Sequence, residues 1–146
     1  MGLNPDFASF EAAYQRGENQ VLYSTLIADL DTPVSLMLKL AQAQKDSFML
    51  ESVTGGENRG RYTVIGMKPD LIWQCHGDEA RINRQARFDA DAFEPMAADP
   101  LTALREVLAE SRIDLPDGLP AIAAGLFGFL GYDMIRQVEH LPDVNP

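Results

Sequence analysis

The fold is decided by the stretch Phe48-Met-Leu-Glu-Ser-Val-Thr-Gly-Gly-Glu-Asn-Arg-Gly-Arg-Tyr-Thr-Val-Ile-Gly66. Its apolar beginning predicts a buried strand over 47–53, and its β-branched end predicts an extended segment over 61–66. The glycines over 54–60 suit a turn with positive φ angles. They match neither the phosphate-loop pattern nor the dinucleotide pattern. The stretch therefore predicts two strands joined by a glycine-containing loop.

Further strands are predicted on both sides of this stretch. Apolar and alternating patterns predict strands at 71–76 and 79–86, which extend the pair into an antiparallel meander. Residues 20–28 are rich in Val, Leu, Tyr, Thr and Ile and fit another strand. The glycine-spaced apolar run 122–132 predicts a buried strand, and the acidic segment 88–98 predicts a surface loop.

Helices are predicted where a capping residue precedes an apolar stripe. Thr32 and Asp99 are each followed by proline, whose missing N–H costs nothing at the first helical position. A short helix over 133–140 is predicted with Asp133 as its cap. The apolar stripes comprise Phe7, Phe10 and Tyr14, with a stop at Gly17; Val34, Met37, Leu38 and Ala41; and Leu101, Leu104, Val107 and Leu108. The mixture predicts an α+β fold, mostly antiparallel sheet with flanking capped helices.

Composition narrows the classes of function. The chain has 146 residues, enough for one domain, and a net charge of -10. That charge argues against binding to nucleic acid or to an anionic membrane surface. A single cysteine, Cys75, allows no internal disulfide and fits the cytoplasm, and no signal peptide is expected. Cys75, His76 and His140 do not make a zinc site or a nucleophile pair, so no metal ligands and no catalytic residues are assigned.

Glu51 is the residue with the most to explain, because a carboxylate beside apolar residues needs a donor or a cation. One interpretation pairs it within the protein with Arg59 or Arg61. The other lets it accept a hydrogen bond from the ammonium group of an amino-acid ligand, with Ser52 adding a further bond. Residue types alone favour the internal pair.

The stretch 48–66 resembles the N-terminal signature of anthranilate synthase component I, and Gly128-Phe-Leu-Gly-Tyr-Asp-Met-Ile-Arg-Gln-Val-Glu139 is similar to a second run of that family. The resemblance implies that residues 1–146 are a single N-terminal regulatory region. It also implies a sandwich of sheets completed by a C-terminal half, with the chorismate-binding catalytic domain absent from this chain.

The same resemblance implies a site for the feedback inhibitor L-tryptophan, lined by Glu51 and Ser52. Leu50, Arg61 and Tyr62 are expected to support it. The full subunit would use Mg2+ to convert chorismate and ammonia to anthranilate and pyruvate, with a glutamine amidotransferase subunit supplying the ammonia. The fragment is expected to be inactive and to self-associate. The alternatives are the corresponding region of aminodeoxychorismate synthase, a freestanding amino-acid-sensing module, and a structural scaffold.

Overall fold

The computed structural model describes residues 2–42, 44–51 and 62–142 of the chain. The elements in chain order are helices α1 (Phe7–Gln15) and α2 (Pro33–Leu40), strands β1 (Phe48–Glu51), β2 (Thr63–Gly66), β3 (Ile72–His76), β4 (Glu79–Asn83) and β5 (Glu94–Pro95), helix α3 (Pro100–Glu110), and 3₁₀ turns at Ala121–Ala123 and Tyr132–Gln137. The predicted α+β class is confirmed. In the part of the chain that the structure describes, no helix has the length and apolar character needed to cross a membrane.

Side chains cap the start of all three of these helices. The Asp6 carboxylate accepts from the Ser9 amide, and Asp99 accepts from the Thr102 amide at 3.1 Å. Thr32 forms a reciprocal capping box with Ser35. The predicted caps of α2 and α3 are therefore confirmed, including the proline in the first turn of each helix.

The predicted buried stripe of α2 is only partly right. Ala41 is buried and Met37 is half-buried, but Val34 and Leu38 are exposed. In α3 the buried residues are Pro100, Ala103 and Val107, whereas Leu108 is exposed. An apolar side chain is buried only where another element covers it, so helical spacing alone overestimates the stripe.

The strands form two sheets rather than one meander. One sheet pairs β1 with β2 antiparallel, and the other has the order β3-β4-β5. β3 and β4 are joined by the two residues Gly77 and Asp78, a connection short enough only for antiparallel strands. The acidic segment 88–98 is irregular apart from β5, as predicted.

Contacts divide the described chain into two units. The first contains residues 2–26, 75–80 and 95–142. The second contains the described residues of 27–74, which are 27–42, 44–51 and 62–74, together with 81–94. In the first unit Ala80, Ala103 and Val107 are buried. The side chain of Gln137 there donates to the Gly77 carbonyl at 3.1 Å and to Asp78 Oδ1 at 2.8 Å, which ties the second 3₁₀ turn to the hairpin tip.

The second unit contains the β1–β2 pair, and α2 packs against β2. Its buried residues are Ala41, Ile82 and Asn83. Asn83 is held on both sides of its amide: Nδ2 donates to the Asp89 carbonyl at 2.7 Å, and Oδ1 accepts from the Gln85 amide at 2.8 Å. This one side chain closes the turn that follows β4.

Three local predictions are wrong. Residues 20–28 do not form a strand; within the described chain, Tyr23 makes only an isolated bridge with Asn4. Residues 122–132 form no strand: both ends belong to 3₁₀ turns, and the middle is irregular and largely exposed, because apolar content alone does not supply a neighbouring strand. Asp133 lies inside the 3₁₀ turn rather than before it, and Gly131 takes the capping position without a side-chain hydrogen bond.

Candidate functional site

The candidate site lies at the Glu51–Thr63 end of the β1–β2 pair, where the chain passes from one strand to the other. The register pairs Phe48 with Gly66, Met49 with Ile65, Leu50 with Val64 and Glu51 with Thr63. Glu51 is thus the last residue of β1, and its side chain is exposed. The strand pair positions this carboxylate at the point where the chain leaves the sheet.

Alternation along the strands sorts the site residues between two faces. Met49 and Glu51 share one face with their partners Ile65 and Thr63. Leu50 lies on the opposite face and is 47% exposed. Since Leu50 and Glu51 diverge, the apolar surface beside the carboxylate is that of Met49 and Ile65, which the sequence analysis did not single out.

The other predicted site residues are distributed as follows. Tyr62 directly precedes β2 and is 48% exposed. Ser52 and Arg61 lie outside the described residues, as do the glycine loop and Arg59. The internal pairing of Glu51 with Arg59 or Arg61 therefore stays a prediction, and so does the contribution of Ser52 to a ligand site.

Cys75 has the properties of a structural thiol. It is half-buried, and its Sγ–H donates to the Gly77 carbonyl at 3.2 Å. Burial raises the pKa of this thiol, and the nearby charge of Asp78 adds to the effect. A thiol with a raised pKa is a weak nucleophile at neutral pH, because the thiolate is the reactive form.

A metal site is not formed by the residues in view. Within 2–42, 44–51 and 62–142, no three His, Cys, Asp or Glu side chains gather closely enough to hold a metal ion. The described part of the chain therefore does not provide the ligands for the Mg2+ ion that the resemblance implies.

The first unit carries two open clefts. One of about 370 Å³ is lined by Asn4, Pro5, Asn19, Gln20, Val21, Tyr23, Asp114 and Pro116. The other, of about 380 Å³, is lined by residues between 108 and 126, which are mostly apolar but include Arg112. Neither of these two clefts contains a described residue of the predicted site.

Several known proteins similar to this chain carry the same name. The chain is 69% identical over 140 residues to anthranilate synthase component 1 of Cereibacter sphaeroides, covering 96% of this chain and 28% of the relative. It is 37% identical over 139 residues to the protein of that name from Synechocystis, covering 94% and 26%. The corresponding protein of Pseudomonas aeruginosa is 40% identical over 117 residues, covering 77% and 22%. No family model and no solved structure matches the chain.

These similarities relate the mixed α+β chain to a component of a multi-subunit enzyme, as the shared word "component" indicates. More particularly, the chain is homologous to the N-terminal part of anthranilate synthase component 1. It spans about a quarter of the length of the relatives that it matches.

Proposed function

We propose that this chain is the tryptophan-binding regulatory part of anthranilate synthase component 1. The observation that carries the proposal is the 69% identity to the Cereibacter sphaeroides protein across 96% of the chain. Identity of this extent supports a shared role for the segment. The three relatives described above all carry the anthranilate synthase name, which favours this function over aminodeoxychorismate synthase.

In the proposed site Glu51 accepts a hydrogen bond from the ammonium group of L-tryptophan. Its position at the end of β1 leaves the carboxylate accessible, and Thr63 faces it from β2. Met49 and Ile65 supply apolar surface on the same face for part of the ligand. Ser52 adds a hydroxyl beside Glu51, and groups from the remaining three quarters of the subunit close the pocket.

The chemistry of the whole subunit is assigned to the part beyond this chain. The full protein would convert chorismate and ammonia to anthranilate and pyruvate in the cytoplasm. It would use Mg2+ bound outside the described residues and ammonia from a glutamine amidotransferase subunit. We expect the 146 residues alone to be inactive, because they span only about a quarter of the length of the relatives that they match.

The test uses a complete subunit, made by joining residues 1–146 to the remainder of the Cereibacter sphaeroides relative. We expect Glu51→Gln to raise the tryptophan concentration for half-inhibition roughly ten- to a hundredfold. A charge-assisted hydrogen bond contributes about 1.5–3 kcal/mol, and each 1.4 kcal/mol is roughly a factor of ten. Ser52→Phe should have a similar effect by filling the pocket. Both variants should keep their ammonia-dependent activity.

The matched control is Glu79→Gln, which removes the charge of another exposed strand glutamate. It should leave tryptophan inhibition unchanged, because β4 carries no part of the proposed site. Inhibition of Glu51→Gln and Ser52→Phe at the parental tryptophan concentration would contradict the proposal. Glu51 would then be a structural carboxylate.

A further inference from the structure

The aromatic ring of Phe48 occupies the space where Gly66 would otherwise carry a side chain. A Cβ built on Gly66 overlaps Cε1 and Cζ of the Phe48 ring and lies 3.0 Å from Cδ1. Phe48 and Gly66 are direct cross-strand partners, so the ring lies across the bare backbone of β2. Aromatic residues often cover a glycine in this way in antiparallel sheets.

Position 66 requires glycine because the Phe48 ring occupies the space of a side chain, and not because of its backbone conformation. Gly66 is in a regular strand, and its φ angle is not among the positive ones of the described glycines, which are at 17, 77, 118 and 125. Alanine could therefore adopt the backbone conformation of Gly66. The obstacle to alanine is the Phe48 ring.

This contact fixes the register of a very short strand pair. β1 and β2 have only four residues each, so their backbone hydrogen bonds contribute little specificity to the alignment. A slip of one residue would move Met49 and Glu51 together to the opposite face, away from Ile65 and Thr63 of β2. The ring of Phe48 lies three residues before Glu51 and aligns with only one position on β2.

We propose that Gly66 is a positioning residue for the tryptophan site and acts through the ring of Phe48. This inference rests on the proposed function for its ligand, and on the strand geometry for its mechanism. When Gly66 gains a methyl group, the ring must leave its position or the strands must separate. Movement of the ring removes the contact that fixes the register, and separation of the strands shifts β1 directly, so we expect both to alter the position of Glu51 relative to Thr63.

The first experiment introduces Gly66→Ala into the complete subunit. We expect the tryptophan concentration for half-inhibition to rise about tenfold, equal to about 1.4 kcal/mol of binding free energy. The KM for chorismate, measured with ammonia, should not rise in parallel, because a general loss of fold would affect both quantities. Gly2→Ala is the control, since a Cβ at Gly2 meets nothing within 4 Å and Gly2 is not among the glycines with a positive φ.

A double-mutant cycle then separates the ring–glycine contact from other effects. Phe48→Ala removes the ring, so adding Gly66→Ala to that variant should change tryptophan inhibition by less than twofold. An unchanged response in Gly66→Ala alone would overturn the proposal. So would the same tenfold loss in the presence and in the absence of the Phe48 ring.

The two proposals fail in different ways. If the complete subunit with the parental sequence is insensitive to tryptophan, the proposed function is wrong. Hydrogen exchange of the β1–β2 amides in Gly66→Ala still tests the contact in that case. We expect faster exchange than in the parent and than in Gly2→Ala, and equal protection in all three would overturn the positioning role.

Discussion

At the scale of the residue, the side chain of Asn83 makes two hydrogen bonds that stabilise the turn after β4. Its relative exposure is 0%, and its amide satisfies one backbone donor and one backbone acceptor in the turn after β4. A buried amide is favourable only while both of its hydrogen bonds are made. Asn83 therefore stabilises the turn because its one side-chain amide both donates and accepts a hydrogen bond.

We expect Asn83→Ala to lower the free energy of unfolding by about 1–3 kcal/mol. The substitution removes two hydrogen bonds, to the Gln85 amide and the Asp89 carbonyl, and each contributes about 0.5–1.5 kcal/mol. Urea unfolding of the complete subunit, followed by circular dichroism, measures the change. Gln85→Ala is the control, because its side chain is exposed and should change stability by less than about 0.5 kcal/mol. Equal stability of the two variants would contradict the role of Asn83.

The sequence located the candidate site but not its immediate surroundings. The prediction of Glu51 at the end of a strand matches the structure, since it follows from the apolar residues before it. The cross-strand partners Thr63, Ile65 and Gly66 depend on the register of β1 against β2, which is a property of two segments at once. A Phe and a Gly eighteen residues apart carry no local signal that they face each other.

At the scale of the element, the helices were more predictable than the strands. A cap and a proline act within one turn, so Thr32-Pro33 and Asp99-Pro100 determine the start of α2 and α3 from adjacent residues. A strand needs a partner that is distant in sequence. Residues 20–28 have the right composition, yet among the described residues they pair only at Tyr23. The sequence pattern therefore reports local conformation well and pairing poorly.

The α3 cap gives a pH-dependent prediction. Hydrogen bonds from Thr102, through its side chain and its backbone amide, lower the pKa of Asp99 below its ordinary value of 3.8. The unfolded chain therefore binds this proton more tightly than the folded chain. The stabilisation is complete above pH 3.8 and is lost as pH falls through the lower folded pKa.

Thermal unfolding of the complete subunit between pH 7 and pH 2 tests this prediction with two variants. Asp99→Asn keeps a capping oxygen but cannot titrate. Its thermal stability should therefore equal that of the parent at pH 7 and exceed it in acid. Asp99→Ala removes the cap and should be less stable than the parent at pH 7, with a difference that narrows in acid. Three parallel stability curves would show that the charge of Asp99 does not contribute to the cap.

At the scale of the whole molecule, the described chain leaves many large apolar side chains exposed. Phe129 is 93% exposed and Tyr132 is 95% exposed, and Leu130 between them is also exposed. These three residues belong to the run 122–132, which has the composition of a buried strand but pairs with no strand among the described residues. The chain spans 28% of the length of its Cereibacter sphaeroides relative, and we propose that the remainder of such a subunit would cover this surface.

We expect the 146-residue chain, when isolated, to self-associate through this segment. With no further chain to cover the apolar run, a second copy is the remaining way to remove it from water. Light scattering coupled to gel filtration at micromolar concentrations should show species larger than 16.1 kDa. The net charge of -10 opposes the contact, so salt should strengthen it by screening the repulsion.

Phe129→Ser and Phe88→Ser form a matched pair for locating the contact. Both side chains are more than nine-tenths exposed, but Phe88 stands between Arg87 and Asp89, whereas Phe129 is followed by Leu130. An isolated exposed phenylalanine is ordinary on a protein surface, and a contiguous apolar run is not. Phe129→Ser should therefore weaken association at least severalfold while Phe88→Ser leaves it unchanged. A parent that stays monomeric at hundreds of micromolar, or equal effects of the two substitutions, would show that the run 122–132 does not drive association.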